Sequence, residues 1–174
     1  MTRLVLLVTV LLGACVRPPG PIAGDFTPTS IADAQREQRS GERIRWGGTI
    51  VSTTPGKAAT CLEIVSLPLD ARARPRRTDD TLGRFIACAP GFYDPEVFAP
   101  RREVTVVGAL EPTESGKVGD YDYLFPRVAA EAIWLWPERN PEDRVCYGGA
   151  AIGGPYWYPF WWGWYGPGPH LHHH

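Results

Sequence analysis

Arg43-Ile44-Arg45-Trp46-Gly47-Gly48-Thr49-Ile50-Val51 reads as a β-strand bent at its middle. Ile44, Trp46, Ile50 and Val51 supply strand-favouring apolar side chains on both sides of Gly47-Gly48. A double glycine inside a strand marks a bulge or a sharp curl. Curling is what a small barrel requires.

The sequence on either side supplies the rest of such a barrel. A second strand is expected from about Thr60 to Leu69, followed by an Arg/Asp-rich turn from Ala71 to Asp80 and a third strand from Leu82 to about Ala89. Pro90-Gly91 breaks the pattern. Asp94-Pro95-Glu96-Val97-Phe98 then offers an N-cap, a proline at the first helical position and an acid in the first turn, which predicts one helical turn. Arg102 to Pro112 is rich in β-branched residues and forms the fourth strand, Glu114 to Asp120 a loop, and Pro126 to Trp136 the fifth strand. In that last strand Val128, Ala130, Ala132, Trp134 and Trp136 fall on one alternating face, with Ile133 and Leu135 on the other. Upstream, Ser30 and Asp33 resemble a capping arrangement for a short helix from Ile31 to Arg39 that stops at Gly41. The expected fold is mainly β: a five-stranded barrel like the oligonucleotide/oligosaccharide-binding (OB) fold, with a helical turn between strands 3 and 4 and a short N-terminal helix.

The hairpin of strands 2 and 3 has a testable register. If Cys61 stands opposite Cys88, then Leu62 faces Ala87 and Ile64 faces Phe85 on the core side. Cys61, Glu63, Ile86 and Cys88 then share the other face, where a cross-strand disulfide fits without disturbing the core. Two unpaired thiols are the alternative, since cysteine also serves as a small core residue.

Leu11-Leu12-Gly13-Ala14-Cys15 reads as a bacterial lipobox, against the alternatives of an ordinary cleaved signal peptide or an N-terminal anchor helix with a chance cysteine. Arg3 gives a positive n-region, Leu4 to Leu12 an apolar h-region too short to span a bilayer, and Gly13-Ala14 the slim pair before the cleavage point. Residues 1–14 are therefore expected to be a signal peptide, Cys15 the lipidated (palmitate-bearing) first residue of the mature chain, 15–28 a flexible Pro/Gly-rich tether, 29–138 the barrel and 139–174 a tail. Val16, rather than an aspartate, follows Cys15 and favours sorting to the outer membrane. An exported chain sits where disulfides persist.

With 19 Gly and 18 Pro the chain is poorly suited to a helical bundle. A formal net charge of −1 offers no basic stripe, so nucleic acid is disfavoured as a partner.

Six motifs occur in one order: Arg45-Trp46-Gly47-Gly48-x-Ile50, Leu67-Pro68-Leu69-Asp70, Leu82-Gly83-Arg84-Phe85, Gly91-Phe92-x-Asp94-Pro95, Arg102 through Gly108, and Gly119-x-Tyr121-x-Tyr123-x-Phe125-Pro126. Together they resemble the Slp family of outer membrane lipoproteins, from the lipobox to about Pro137. The resemblance implies an outer membrane lipoprotein anchored through Cys15, linked to starvation and stress response, with no catalytic set. Cys61 and Cys88 are not regular features of that family, and the aromatic tail lies outside the shared motifs.

Few residues offer chemistry. No histidine precedes His170, so a Ser/His/Asp or Cys/His nucleophilic site lacks its base. Acidic pairs such as Asp79-Asp80 and Asp120 with Asp122 are candidates for glycoside hydrolysis, and solvated turn residues explain them better. Trp46, Tyr121, Tyr123 and Phe125 are candidates for a stacking platform for sugars, with core packing as the competing reading. Arg72, Arg74, Arg76 and Arg77 are candidates for contact with lipid phosphates or lipopolysaccharide, against the simpler reading of a charged hairpin tip. Residues Val145 to Pro169 carry no charge and are dense in Trp and Tyr; membrane-interface contact, stacking on peptidoglycan, packing on the barrel and disorder stay open for this tail. His170, His172, His173 and His174 are not read as a metal site, and no cofactor is expected. No motif sets the oligomeric state. The leading expectation is a non-enzymatic envelope lipoprotein at the periplasmic face of the outer membrane; the alternative is a carbohydrate- or peptidoglycan-binding module using the tail and the Tyr121/Tyr123 face.

Overall fold

A computed structural model describes residues 17–139; the lipobox and the aromatic, His-ended tail lie outside the described residues. Five strands, β1 (Arg43–Pro55), β2 (Ala59–Ser66), β3 (Gly83–Pro90), β4 (Glu103–Val118) and β5 (Tyr121–Leu135), close into a ring in the order β1-β2-β3-β5-β4, which returns to β1. One helix, α1 (Ile31–Glu37), and a 3-10 turn (Gly20–Ile22) precede them.

Of the two roles expected for the double glycine, bulge or sharp curl, it takes the second. The ladder is unbroken there, and the β1 bulge falls later, between Ile50 and Ser52. Gly48 instead pairs with Val104 of β4 and with Ser66 of β2, so it sits where β1 passes from one neighbour to the other. A Cβ on Gly48 would stand 1.8 Å from the Val65 carbonyl oxygen, and one on Gly47 would stand 2.7 Å from that of Val104. Absent side chains let the strand curl this tightly.

The β2–β3 register is the one expected: Cys61 faces Cys88, Leu62 faces Ala87 and Ile64 faces Phe85. Leu62, Ile64, Phe85 and Ala87 are fully buried, whereas Cys61, Glu63, Ile86 and Cys88 point to the half-exposed face. The Cys61 and Cys88 sulfurs are bonded at 2.07 Å. Beside them Glu63 accepts from Arg84 Nη1 at 2.6 Å.

Two expectations about the last hairpin are corrected. The loop placed at Glu114 to Asp120 is strand as far as Val118, and β5 begins at Tyr121, so only Gly119-Asp120 turn the chain. Gly119 takes φ +61, which a glycine adopts freely and which a two-residue hairpin loop needs. Cross-strand pairs hold the extension: Lys117 with Asp122 at 3.0 Å, and Arg127 with Glu114 at 2.5 Å.

The single alternating face of β5 is also split. Pairing slips between Val107↔Ala132 and Gly108↔Ala130, leaving Glu131 as the extra residue, and one extra residue reverses every side chain beyond it. Val128 and Ala130 therefore face the barrel interior, where Ile133 and Leu135 also pack. Trp134 and Trp136 turn to the outside.

The chain thus builds two apolar clusters. The interior holds Trp46, Ile50, Leu62, Ile64, Phe85, Val104, Val106 and Val128, with Ile31 and Ala34 of α1 packed against it. The second lies outside the barrel wall and consists of Ile22, Ala73, Val107 and Trp136, flanked by Phe26, Leu69 and Trp134. Ile22 is fully buried and Phe26 half-buried against the same cluster, so the described part of the expected 15–28 tether is pinned to the barrel at these two side chains, while the residues next to them are exposed. In the outer cluster Thr105 Oγ1 donates to the Ala73 carbonyl at 2.6 Å and accepts from Trp136 Nε1 at 2.9 Å, whereas the buried Trp134 Nε1 has no partner among the described residues. α1 is capped by Ser30, whose Oγ accepts from the Asp33 N–H at 3.1 Å, and it ends two residues before the expected Arg39, with Gln38 at φ +47. Between β3 and β4, the Asp94 carbonyl accepts from the Val97 and Phe98 N–H groups at 3.0 and 2.8 Å, closing one hydrogen-bonded turn.

Candidate functional site

The aromatic platform does not assemble. Trp46 is 8% exposed; it lies inside the barrel, edge-on to Phe85 with centroids 5.3 Å apart, and its Nε1 donates to the Thr29 carbonyl at 2.8 Å. Its place on the curled strand β1, next to Gly47, turns the ring inward, so core packing replaces the ligand-binding expectation. Phe125 is likewise buried. Tyr123 is half-buried against Phe125 at 4.7 Å, and its hydroxyl oxygen accepts from the Arg84 N–H at 2.8 Å. That oxygen lies 2.9 Å from where a Cβ on Gly83 would be, so the glycine leaves room for it. Tyr121, 72% exposed at the hairpin tip, is the one residue of the four that faces solvent.

The carboxylate pairs also fail as a catalytic set. Asp79, Asp80 and Asp120 are exposed, and the Asp122 side chain, 89% exposed, pairs with Lys117 at the hairpin tip. Hydrolysis needs two carboxylates across one cleft, and these face open solvent.

A more developed arrangement lies where the β2–β3 connection meets the start of β4 and the end of β5. An open cleft of about 280 Å³ is lined by Arg74, Arg77, Arg101, Arg102 and Arg139, with Glu103, Glu138 and Trp136. A recess of about 420 Å³ shares Arg77, Arg101 and Glu103 with it. Five guanidinium groups face two carboxylates in the cleft, a local excess of three positive charges; Asp79, in the recess, brings it to two. The whole chain carries a formal charge of −1.

Local structure explains the convergence. Asp70 Oδ1 accepts from the Arg72 and Arg74 N–H groups at 2.8 and 2.9 Å, folding the connection so that Ala73 enters the outer cluster and Arg74 enters the cleft. Glu103, whose side chain is 14% exposed, accepts from Arg74 Nε at 2.7 Å and Arg139 Nε at 2.9 Å, with Arg77 Nε 3.7 Å away. Arg74 also donates to the Pro137 carbonyl at 2.7 Å and lies 5.4 Å over the Trp136 ring. Arg102 donates to the Val97 and Trp136 carbonyls. Arg77, with a 55% exposed side chain, and Arg101 have no side-chain hydrogen bond among the described residues. Arg101 is also held at φ +73, costly for a residue with a Cβ.

Of the arginines suggested by sequence, Arg74 and Arg77 reach this cleft, while Arg72 and Arg76 are exposed outside it. Arg74 serves chiefly as a strut, tied to Glu103 and the Pro137 carbonyl, rather than as a solvated charge at a hairpin tip. Arg101, Arg102, Glu103 and Arg139 were not anticipated. The available signal was Arg101-Arg102-Glu103 at the mouth of the strongest strand, read only as a strand start.

A small closed five-stranded barrel with a second apolar cluster outside its wall is the class of domain that the described residues define. A family model described as the outer membrane lipoprotein Slp family matches residues 12–166, and the chain belongs to that family of outer membrane lipoproteins. It is 35% identical to the uncharacterized lipoprotein YeaY of Escherichia coli (strain K12), over 92% of this chain and 86% of that protein. It is 31% identical to the outer membrane protein Slp of the same organism, over 79% and 75% of the two chains. A protein of Haemophilus influenzae is 33% identical over 72% of this chain and 70% of its own length. Among solved structures, a small single-stranded DNA-binding protein from Streptomyces coelicolor matches 56% of this chain and 95% of its own at 15% identity and TM-score 0.37, a likeness too slight to carry an argument.

Proposed function

We propose that this outer membrane lipoprotein is anchored by acyl chains on Cys15 and presents its barrel at the periplasmic face, in a non-enzymatic role in the envelope under stress. The observation that carries the reading is the lipobox at Leu12-Gly13-Ala14-Cys15, in a chain whose family is one of outer membrane lipoproteins. The barrel is read as OB-like from its five-strand ring and the hydrogen-bonded turn between β3 and β4. Its interior is filled by side chains such as Phe85, Ile64 and Val106, so binding falls to the outer surface. For the carbohydrate-binding alternative, the Tyr121/Tyr123 face offers one exposed ring, Tyr121, beside a Tyr123 whose hydroxyl is engaged by the Arg84 N–H, and the tail lies outside the described residues.

The test is processing. Globomycin, which blocks the lipoprotein signal peptidase, is expected to accumulate the full precursor, and Cys15→Ala to abolish incorporation of labelled palmitate. Unchanged processing under globomycin refutes the anchor.

A further inference from the structure

We propose that the arginine cleft is a binding site for the headgroup phosphate of an anionic lipid in the membrane from which the chain hangs. The inference rests on the anchor proposed above and adds a second, specific contact with the same bilayer.

Three observations converge. The cleft is a concentration of guanidinium groups in a chain of net negative charge, and planar guanidinium forks suit phosphate oxygens bidentately. Within it the groups divide into two kinds. Arg74, Arg102 and Arg139 are tied to Glu103 or to backbone carbonyls and form the walls. Arg77 and Arg101 have no side-chain hydrogen bond among the described residues and line both cleft and recess. Arg101 is presented from a left-handed backbone conformation, anchored on either side by Arg101 N–H to the Ile50 carbonyl at 2.9 Å and Ile50 N–H to the Arg102 carbonyl at 3.0 Å. Strain of that kind persists where surrounding structure enforces it, and here it holds an unpaired cation at the cleft mouth.

The third observation gives the source of the phosphate. Ile22 is buried against Ala73 and Trp136, the first adjacent to Arg74 and the second a cleft wall. Cys15 precedes Ile22 by seven residues, so even a fully extended link keeps the lipidated residue within about 25 Å of the cleft's flank. A bilayer surface that holds Cys15 is therefore within reach of Arg77 and Arg101, and basic side chains near an anionic leaflet are attracted to it.

The test uses the mature acylated protein, its acylation verified by intact mass, reconstituted into vesicles of phosphatidylcholine alone or of phosphatidylcholine with phosphatidylglycerol in equal parts. Phenylglyoxal modification is followed residue by residue by mass spectrometry. Where lipid is well above its Kd, Arg77 and Arg101 are expected to react about tenfold more slowly in the phosphatidylglycerol vesicles. Arg72, exposed outside the cleft, and Arg36 on α1 should react equally in both. Equal rates at Arg77 and Arg101 in the two vesicles overturn the proposal. Equal protection of Arg72 overturns it too, by showing general apposition to the surface. Protection in phosphatidylcholine vesicles by inorganic phosphate, matching that by phosphatidylglycerol, overturns the lipid assignment in favour of a soluble ligand. The intact mass reports on the anchor separately, so failure of the cleft and failure of the anchor are distinguishable.

Discussion

Replacing Gly48 by alanine should cost this barrel about 4 kcal/mol, an estimate that follows from where the new methyl group would go. The added Cβ would lie 1.8 Å from the Val65 oxygen and 2.7 Å from its carbonyl carbon, where ordinary contact begins near 3.4 Å. Because the clash is with backbone, no side-chain rotation relieves it; β2 must retreat by the difference, about 1.6 Å. The nearby bond from the Leu67 N–H to the Gly47 oxygen is 2.9 Å long and would open beyond hydrogen-bonding range. Losing this bond and a neighbouring ladder bond costs about 1 kcal/mol each, and overpacking adds roughly 1–3 kcal/mol. The total is a large share of the 5–15 kcal/mol typical of a domain. Urea unfolding of the mature protein, followed by near-ultraviolet circular dichroism, reads the change. Gly20→Ala is the reference, since nothing lies within 4 Å of its added Cβ and its loss should stay within about 0.5 kcal/mol. A Gly48→Ala protein that unfolds within about 1 kcal/mol of wild type, with the same denaturant slope, would refute the account of β1 as a strand passed between two neighbours at a side-chain-free point.

Other changes test other parts of the molecule. The Cys61–Cys88 bridge closes a loop with a sequence separation of 27, for which the chain-entropy relation gives about 3.5 kcal/mol; Cys61→Ser with Cys88→Ser should lower urea stability by that order, and an unchanged midpoint would count against it. Trp136→Phe removes the donor to Thr105 Oγ1, whereas the buried Trp134 Nε1 has no partner, so Trp136→Phe should cost about 1–2 kcal/mol more than Trp134→Phe in thermal or urea unfolding; equal losses would show the bond to be unimportant. The Asp33 carboxyl is held below its ordinary value of 3.8, chiefly by the Ser30 hydroxyl and then by Arg36. A lowered carboxyl contributes stability that is present above the ordinary value and lost as pH falls through the lowered one. Ser30→Ala should therefore raise the Asp33 titration midpoint toward 3.8, read by carbon-13 NMR, and an unmoved midpoint would reassign the shift to Arg36.

Sequence made the barrel legible wherever alternation was uninterrupted. Cys61 to Ile64 and Phe85 to Cys88 pair as their apolar pattern dictates, because a slip by one residue would have turned Leu62 and Phe85 to solvent. Alternation misled at Glu131, where the bulge reverses Trp134 and Trp136; nothing in Ala-Ala-Glu-Ala announces an extra residue. The β4–β5 extension was readable in principle, since Gly119-Asp120 is a two-residue hairpin loop, but the polar run before it reads equally as a loop. Trp46 and Tyr123 were visible as aromatics and not as buried ones, because burial depended on how tightly β1 curls and on the space left by Gly83. The arginine cleft depended on long-range closure: Arg74 of the β2–β3 connection and Arg139 beyond β5 meet only at Glu103, in a cleft that Arg101, just before β4, also lines.

The seating of Ile22 outside the barrel has a mechanical consequence. A pull applied at Cys15 meets Ile22 first, held in its socket beside Trp136 and by the bond from Arg45 Nη1 to its carbonyl at 3.1 Å, before any load reaches a strand. While Ile22 is seated, the leash is seven residues, about 25 Å. Once it slips, the next hold is Phe26, its ring 4.8 and 4.7 Å from Arg43 and Arg45, and the leash lengthens to eleven residues, about 40 Å. Burying one isoleucine is worth about 2–3 kcal/mol, less than the roughly 5–15 kcal/mol that holds a typical domain folded. With Cys15 as the proposed anchor, Ile22 would be a weak link placed ahead of the β-ladders, yielding first while the barrel stays folded.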